Sequence, residues 1–217
     1  SAALREGDWV VPIVRLPDPV PCGSCAVGEW DMCQNGRFTE HGIKGVHGFA
    51  RERFALHPER LVRIDAALGE LGVLLEPASV VAKAWEHIER IGQRAHWQPQ
   101  SALVMGAGPV GLLAALLAAQ RGLSLSVVDR VHDGPKPQLV SDLGGRRITS
   151  DIEQACTKAD VILECTGAPS LVLTAMESAR PNTIVCLTGV SSGGRVIPID
   201  LGAVNRALVL ENNVVFG

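Results

Sequence analysis

Three glycines and one aspartate carry the most specific chemical signal in this chain. Gly106, Gly108 and Gly111 stand in the run Gly106-Ala107-Gly108-Pro109-Val110-Gly111, and Asp129 follows Gly111 by 18 residues. This is G-x-G-x-x-G followed by an acid, a pattern suited to holding a dinucleotide. Each position has a physical task. Gly106 permits a tight turn, Gly108 lets a pyrophosphate approach the backbone, and Gly111 lets a helix lie close to a strand. The helix that follows this turn, which includes Pro109 and Val110, offers free N–H groups and partial positive charge to phosphate at its N-terminus. The Asp129 carboxylate can hold the adenosine ribose hydroxyls and would repel a 2′-phosphate, which favours NAD. Arg130 and Arg147 keep NADP open, because a guanidinium suits phosphate.

A second set of residues could bind metal. Cys22, Cys25 and Cys33 are spaced C-x2-C-x7-C. Their thiolates can converge on one zinc ion, which favours four ligands at tetrahedral corners. Three thiols are one ligand short, and Asp18 or Asp31 could supply the fourth. The alternative is three reduced cysteines in a small, loop-rich lobe.

Two acids complete the inventory. Glu76 follows the apolar run Val73-Leu74-Leu75. A charge desolvated there costs several kcal/mol unless it is paired, so a cation, a metal or a hydroxyl-rich ligand is expected beside it. The plainer reading is a helix-start carboxylate favoured by the helix dipole. Glu40, with His41 and His47, lies in the polar, glycine-rich segment Gln34–Gly48, which reads as a loop. These three side chains are candidates for contact with a polar substrate, or simply part of a solvated surface.

The elements that must position these groups follow from periodicity. Ala102–Met105 is a buried-type strand, Leu112–Gln120 a helix stopped by Arg121-Gly122, and Leu123–Val128 a second strand. Further on, helix and strand patterns alternate. Gln138–Leu143 reads as a helix, Arg147–Thr149 as a strand and Asp151–Lys158 as a helix with a capping start. Asp160–Cys165 is a strand, followed by a helix over Leu171–Ala179 capped by Ser170. Thr183–Leu187 is a strand, Thr188–Gly194 a loop and Val196–Ile199 an extended piece. Leu201–Leu210 is a helix and Asn213–Phe216 the last strand. Such alternation builds a doubly wound parallel α/β sheet, whose ligands sit outside the carboxyl ends of the strands. Thr166-Gly167 and Thr188-Gly189 fall at such ends and join the glycine turn along one crevice.

The first part of the chain is different. Trp9–Val14 reads as an edge strand interrupted by Pro12. Arg15–Pro21 is extended, Phe49–Ala55 a strand, and His57–Ile64 a turn into another strand, which together suggest a small β unit. From Ala78 to Ile91, Val80, Val81, Ala84, Ile88 and Ile91 recur at helical spacing, and Pro77 suits the first turn.

Composition narrows the function classes. The chain has 217 residues, 47% hydrophobic and 20% charged, with a net charge of −3. That balance gives no electrostatic case for nucleic acid or an anionic membrane. No apolar run is long enough to span a bilayer, and Ser1–Val11 lacks the basic and apolar regions of a signal peptide. Six cysteines, three of them clustered, fit a metal site in a reducing, cytoplasmic compartment better than a disulfide framework.

Taken together, these motifs resemble the medium-chain dehydrogenase/reductase superfamily, and within it the glucose dehydrogenase branch known from archaea. The resemblance covers nearly the whole chain. It rests on GDWVVPIVR before the cysteines, GRFTEHGIKGVHGFARE after them, LLEPASVVAKA, the glycine run, ECTGAP and LENNVVFG. It implies part of a GroES-like β-rich catalytic domain over residues 1–85 and a Rossmann domain over 86–217. It implies a zinc-dependent oxidoreductase passing hydride from the C1 hydroxyl of glucose or a similar aldose to NAD or NADP. Another alcohol, polyol or threonine dehydrogenase is the alternative, as is a nucleotide-binding module without turnover. The family's structural zinc lobe reads C-x2-C-x2-C-x7-C, and Pro19 stands where its first cysteine would be. Of the catalytic zinc shell only Glu76 matches, because the family's cysteine and His-Glu pair precede this sequence. The chain is therefore expected to be a piece of a longer protein. Glu40 matches a sugar-contacting acid. The resemblance also implies a dimer or tetramer formed through the Asn213–Phe216 edge.

Overall fold

The computed structural model describes residues 4–193 and 196–217. Ser1–Ala3, Gly194 and Arg195 lie outside the described residues. So the start of the Ser1–Val11 segment and the end of the Thr188–Gly194 loop carry no structural account. The chain forms two compact units, Ser1–Glu76 and Pro77–Gly217.

The first unit is built from short strands. β1 (Val10–Pro12) pairs antiparallel with β5 (Leu61–Arg63), with Val11 opposite Val62. A sheet of two strands is all edge, which is why Pro12, lacking an N–H, is tolerated. A second sheet has the order β2 (Arg15–Leu16), β3 (Thr39–His41), β4 (Gly45–Val46). The expected loop over Gln34–Gly48 thus contains two strands. His41 N–H donates to Val14 O at 2.9 Å and Glu40 N–H to Lys44 O at 2.8 Å. Gly42 and Gly45, at φ +77° and +78°, permit the tight return between them. The strand expected over Phe49–Ala55 does not form. Arg51 N–H folds back to Phe49 O, and the Phe49 and Phe54 rings pack 4.8 Å apart. Helix α1 (Gly23–Ala26) and a 3₁₀ turn at Trp30–Met32 carry the cysteine lobe.

Helix α2 (Leu75–Gly92) begins earlier than its apolar pattern suggests, so Glu76 falls inside its first turn. Its buried stripe is Val81, Ala84, Trp85, Ile88 and Gly92, and Val80 is exposed. In the second unit six parallel strands take the order β11-β10-β9-β6-β7-β8. They are β6 (Ser101–Met105), β7 (Ser124–Val128), β8 (Arg146–Ile148), β9 (Val161–Glu164), β10 (Ile184–Leu187) and β11 (Val214–Phe216). This is the order of a dinucleotide fold, with its reversal between β6 and β9. The helices are α3 (Pro109–Gln120), α4 (Pro135–Asp142), α5 (Ile152–Cys156), α6 (Pro169–Glu177) and α7 (Leu201–Leu210). Both sheet faces are covered. Ala102 and Val104 pack into one apolar cluster with α2 and α3, and Leu103 and Met105 into another with α5 and α6. That is the two-residue alternation of a strand buried on both sides.

Two helix starts differ from expectation. Ala168, not Ser170, is the N-cap of α6, because Pro169 already sits at its first turn. Asp151 precedes α5 in the left-handed region at φ 54° and makes no side-chain cap. Its carboxylate accepts from Ser150 Oγ instead, at 3.0 Å. Val196–Ile199 forms no strand. Among the described residues no helix is long and apolar enough to cross a membrane.

Candidate functional site

The glycine turn lies at the carboxyl end of β6 and opens α3. Gly106 has φ +100°, and its N–H donates to Val128 O at 2.7 Å. A Cβ on Gly111 would stand 1.8 Å from Gly106 O, so only glycine lets the helix pack this close. Gly108 is the N-cap of α3, and Pro109 occupies the first turn. No side chain caps the helix, and a Cβ on Gly108 would meet nothing within 4 Å. The N-terminal N–H groups thus face open space that an anionic group could occupy, which fits a pyrophosphate. Val110 is half-buried beside the core of the same helix.

Asp129 ends β7 and reaches back to that turn. Oδ2 accepts from Ala107 N–H and Oδ1 from Val131 N–H, both at 2.7 Å, and Lys136 Nζ lies 3.6 Å from Oδ2. Burial pushes this carboxyl up, but the Val131 and Ala107 N–H groups and Lys136 outweigh it and hold it below the ordinary aspartate value. Arg147 donates to the carbonyls of Val131 and His132, at 3.2 and 3.0 Å, bracing the loop after Asp129. Arg130 is exposed.

Thr166-Gly167 and Thr188-Gly189 meet at the ends of β9 and β10, and the group that joins them was not legible in the sequence. Glu164 is fully buried. Its carboxylate accepts from Thr166 N–H at 2.8 Å, from Thr166 Oγ, and from Gly167 N–H at 3.0 Å. Its carbonyl accepts from Thr188 N–H and Gly189 N–H. Thr166 also touches the glycine turn, since a Cβ on Gly106 would be 2.7 Å from Thr166 Cγ2.

In the first unit the sulfurs of Cys22, Cys25 and Cys33 lie within 4.8 Å of one another, the one such converging group among the described residues. Hydrogen bonds from the Cys25 and Gln34 N–H groups lower the Cys22 thiol to about 6, while burial raises Cys25 to about 11. Asp18 is buried, and its backbone N–H reaches the Cys25 sulfur. Its Oδ1 accepts from Val20 N–H at 2.8 Å, while Oδ2 is buried without a hydrogen-bond partner. Three converging thiols and an orphaned carboxylate oxygen in the adjoining turn fit a zinc ion, although the Asp18 carboxylate is not itself in the converging group. Asp31 is exposed on the 3₁₀ turn.

Glu40 sits in β3 and is held by Arg15, whose Nε and Nη2 approach Oε1 at 3.0 and 2.9 Å. Arg15 also donates to Trp30 O and lies 4.0 Å over the Phe38 ring, so one guanidinium fixes Glu40 against its neighbours. Nothing in the sequence pattern marked Arg15. Glu76 is exposed, as are Val73, Leu74 and Leu75 before it. The expectation of a desolvated Glu76 carboxylate is therefore corrected. The apolar run is the end of a 3₁₀ helix (Ala66–Leu74) leading directly into α2, and its side chains stay exposed. Glu76 belongs to no converging ligand group among the described residues.

Known proteins share this architecture. Galactitol-1-phosphate dehydrogenase from Escherichia coli matches all of the chain with a TM-score of 0.77 at 21% identity, a likeness of fold. Glucose dehydrogenase from Haloferax mediterranei matches 99% of this chain and 63% of that one, with a TM-score of 0.88 and 33% identity. A structure of that enzyme in complex with NADP, Zn and gluconolactone superposes equally well, at 34% identity. The fold is thus that of the medium-chain dehydrogenases, a doubly wound parallel Rossmann sheet with part of a GroES-like β-rich domain. In sequence, glucose 1-dehydrogenase from Methanocella arvoryzae is 38% identical over 99% of this chain and 62% of its own length. That of Thermoproteus tenax is 39% identical over 99% and 60%. The family model described as glucose dehydrogenase C-terminus matches residues 69–217. The chain belongs to this glucose dehydrogenase family, and it spans about 60% of the length of the curated relatives it matches.

Proposed function

We propose that this chain is part of a zinc-dependent oxidoreductase that transfers hydride from the C1 hydroxyl of glucose, or a similar aldose, to NAD or NADP. The observation that carries the reading is the junction of Asp129 with the glycine turn. It offers a carboxylate for ribose beside open helix N–H groups for phosphate. The sugar is inferred from the glucose 1-dehydrogenase relatives, and the second cofactor from the Haloferax enzyme bound to NADP.

In this reading Gly106–Gly111 cradles the pyrophosphate, with Pro109 and Val110 opening α3, and Asp129 takes the ribose. Arg130 lies on the 2′ side. Thr166, Gly167, Thr188 and Gly189 line the part of the crevice that receives nicotinamide. NAD is the preferred partner because Asp129 is ionised and would face a 2′-phosphate, with Lys136 and Arg147 nearby to temper the repulsion. Glu40, fixed by Arg15, orients a sugar hydroxyl. Zinc held by Cys22, Cys25 and Cys33, with Asp18 as fourth ligand, stiffens the lobe. A reaction metal, flanked or ligated by Glu76, would polarise the sugar hydroxyl. The six unpaired cysteines suit a reducing cytoplasm. β11 ends the sheet and is the edge through which a dimer or tetramer would form.

The experiment is a panel of aldoses, polyols and alcohols offered to the full-length protein with NAD and with NADP, read by the appearance of reduced nicotinamide. Glu76→Gln in the same assay reports whether that carboxylate serves turnover or only the start of α2.

A further inference from the structure

Glu164 is a carboxylate sealed inside the sheet, and hydride transfer as described gives it no task. A buried carboxylate is costly unless its lone pairs are met. Here Oε1 takes Thr166 N–H and Oγ–H, and Oε2 takes Gly167 N–H. The Glu164 carbonyl takes the Thr188 and Gly189 N–H groups, at 2.8 and 2.9 Å, and Thr188 Oγ–H at 3.0 Å. One residue therefore ends the donors of two loops, those following β9 and β10. A glutamine could not replace it, because donors approach both oxygens and an amide offers one.

There is little slack around this group. A Cβ on Gly189 would stand 2.8 Å from Glu164 Oε2 and 2.1 Å from Gly167 N, and one on Gly167 would stand 2.4 Å from Val190 O. Gly167 is held at φ +64°. The loops after β9 and β10 interlock on the carboxylate.

Their place in the sheet says what they serve. The strand order reverses between β6 and β9. A doubly wound sheet offers one mononucleotide site on each side of that reversal. β6 and β7, with the glycine turn and Asp129, take the adenosine side. The loops gathered by Glu164 belong to the other side. Resting on the dinucleotide reading above, we propose that Glu164 is a positioning residue. It holds Thr166-Gly167 and Thr188-Gly189 in the shape that receives the nicotinamide half of the dinucleotide.

The test separates the two halves of the ligand in the full-length protein. AMP binding is measured by calorimetry and NADH binding by its nicotinamide fluorescence, for wild type and Glu164→Gln. NADH binding should weaken about tenfold or more, the scale of a lost hydrogen bond to a charged group. Its fluorescence shift should shrink, and AMP affinity should stay within about twofold. Equal weakening of both ligands, as general loosening of the fold would cause, overturns the proposal. So does an unchanged NADH affinity. If Glu164→Gln does not fold, Thr166→Val removes one donor and keeps the backbone. It should weaken NADH about threefold and spare AMP, and an unaltered NADH affinity counts against the proposal. Wild type binding neither ligand would overturn the dinucleotide reading, and this inference with it. Wild type binding both, with unaltered variants, overturns this inference alone.

Discussion

Ala107 N–H donates to Asp129 Oδ2 at 2.7 Å, so the acid that ends β7 is tied to the glycine turn that ends β6. The same carboxylate accepts Val131 N–H through Oδ1. On the proposed reading, ribose recognition and turn geometry depend on one side chain. An asparagine could serve one of these N–H groups but would turn its amide toward the other. Wild type should bind NAD more tightly than NADP. Asp129→Asn should weaken NAD about tenfold and shrink the difference between the two, measured by titration with each nucleotide. A wild type that prefers NADP contradicts the assignment.

The same carboxyl gives a pH prediction. Its folded pKa lies below the ordinary aspartate value, since its N–H donors and Lys136 outweigh burial. A group depressed in this way adds stability that is fully present above its unfolded value. That stability is lost as pH falls through the folded value. AMP affinity should accordingly show no loss from this group between pH 7 and about pH 4, the usual aspartate range. A loss of affinity in Asp129-intact protein that vanishes in Asp129→Asn and centres near about pH 5 would contradict the geometry.

Gly108 and Gly111 should separate binding from folding. Gly111→Ala places a Cβ 1.8 Å from Gly106 O, a backbone atom that cannot swing aside. It should cost at least the roughly 1–3 kcal/mol of an overpacked core and lower the melting temperature. Gly108→Ala meets nothing within 4 Å and should cost at most about 1 kcal/mol as a poorer N-cap. It should nevertheless weaken NAD and AMP, because on the proposed reading the added methyl would stand where the phosphates approach the backbone. Thermal melts and calorimetry on the two variants decide this.

Much of this was readable before the structure. The β6–turn–α3–β7 unit was legible because a two-residue strand alternation, a glycine spacing and a helical run agree on one answer. β3 and β4 were not, because strands of two or three residues in a polar, glycine-rich run carry no period. Glu164 was hidden for another reason. An acid at the end of an apolar strand reads as exposed, and only the folded loops show that it is enclosed. Glu76 went the other way, its apolar neighbours suggesting burial where a 3₁₀ helix runs into α2 with its apolar side chains exposed. Arg15 is one of many surface-type arginines until β2 is laid beside β3.

The cysteine lobe should hold one zinc ion independently of the nucleotide. Cys25→Ser should remove one zinc per chain by elemental analysis and lower the melting temperature, while AMP affinity holds. Asp18→Asn should weaken zinc retention by at least about 10–100-fold, the loss seen even when a residue that only orients a ligand is changed. Unchanged zinc content in Cys25→Ser would remove the site.

The most direct measurement is the rate of nicotinamide reduction by the full-length, zinc-loaded protein given glucose and NAD or NADP. Formation of reduced nicotinamide with glucose, faster than with simple alcohols, is the result expected. Tight nucleotide binding with no reduction by any aldose, polyol or alcohol would contradict it and leave a binding module.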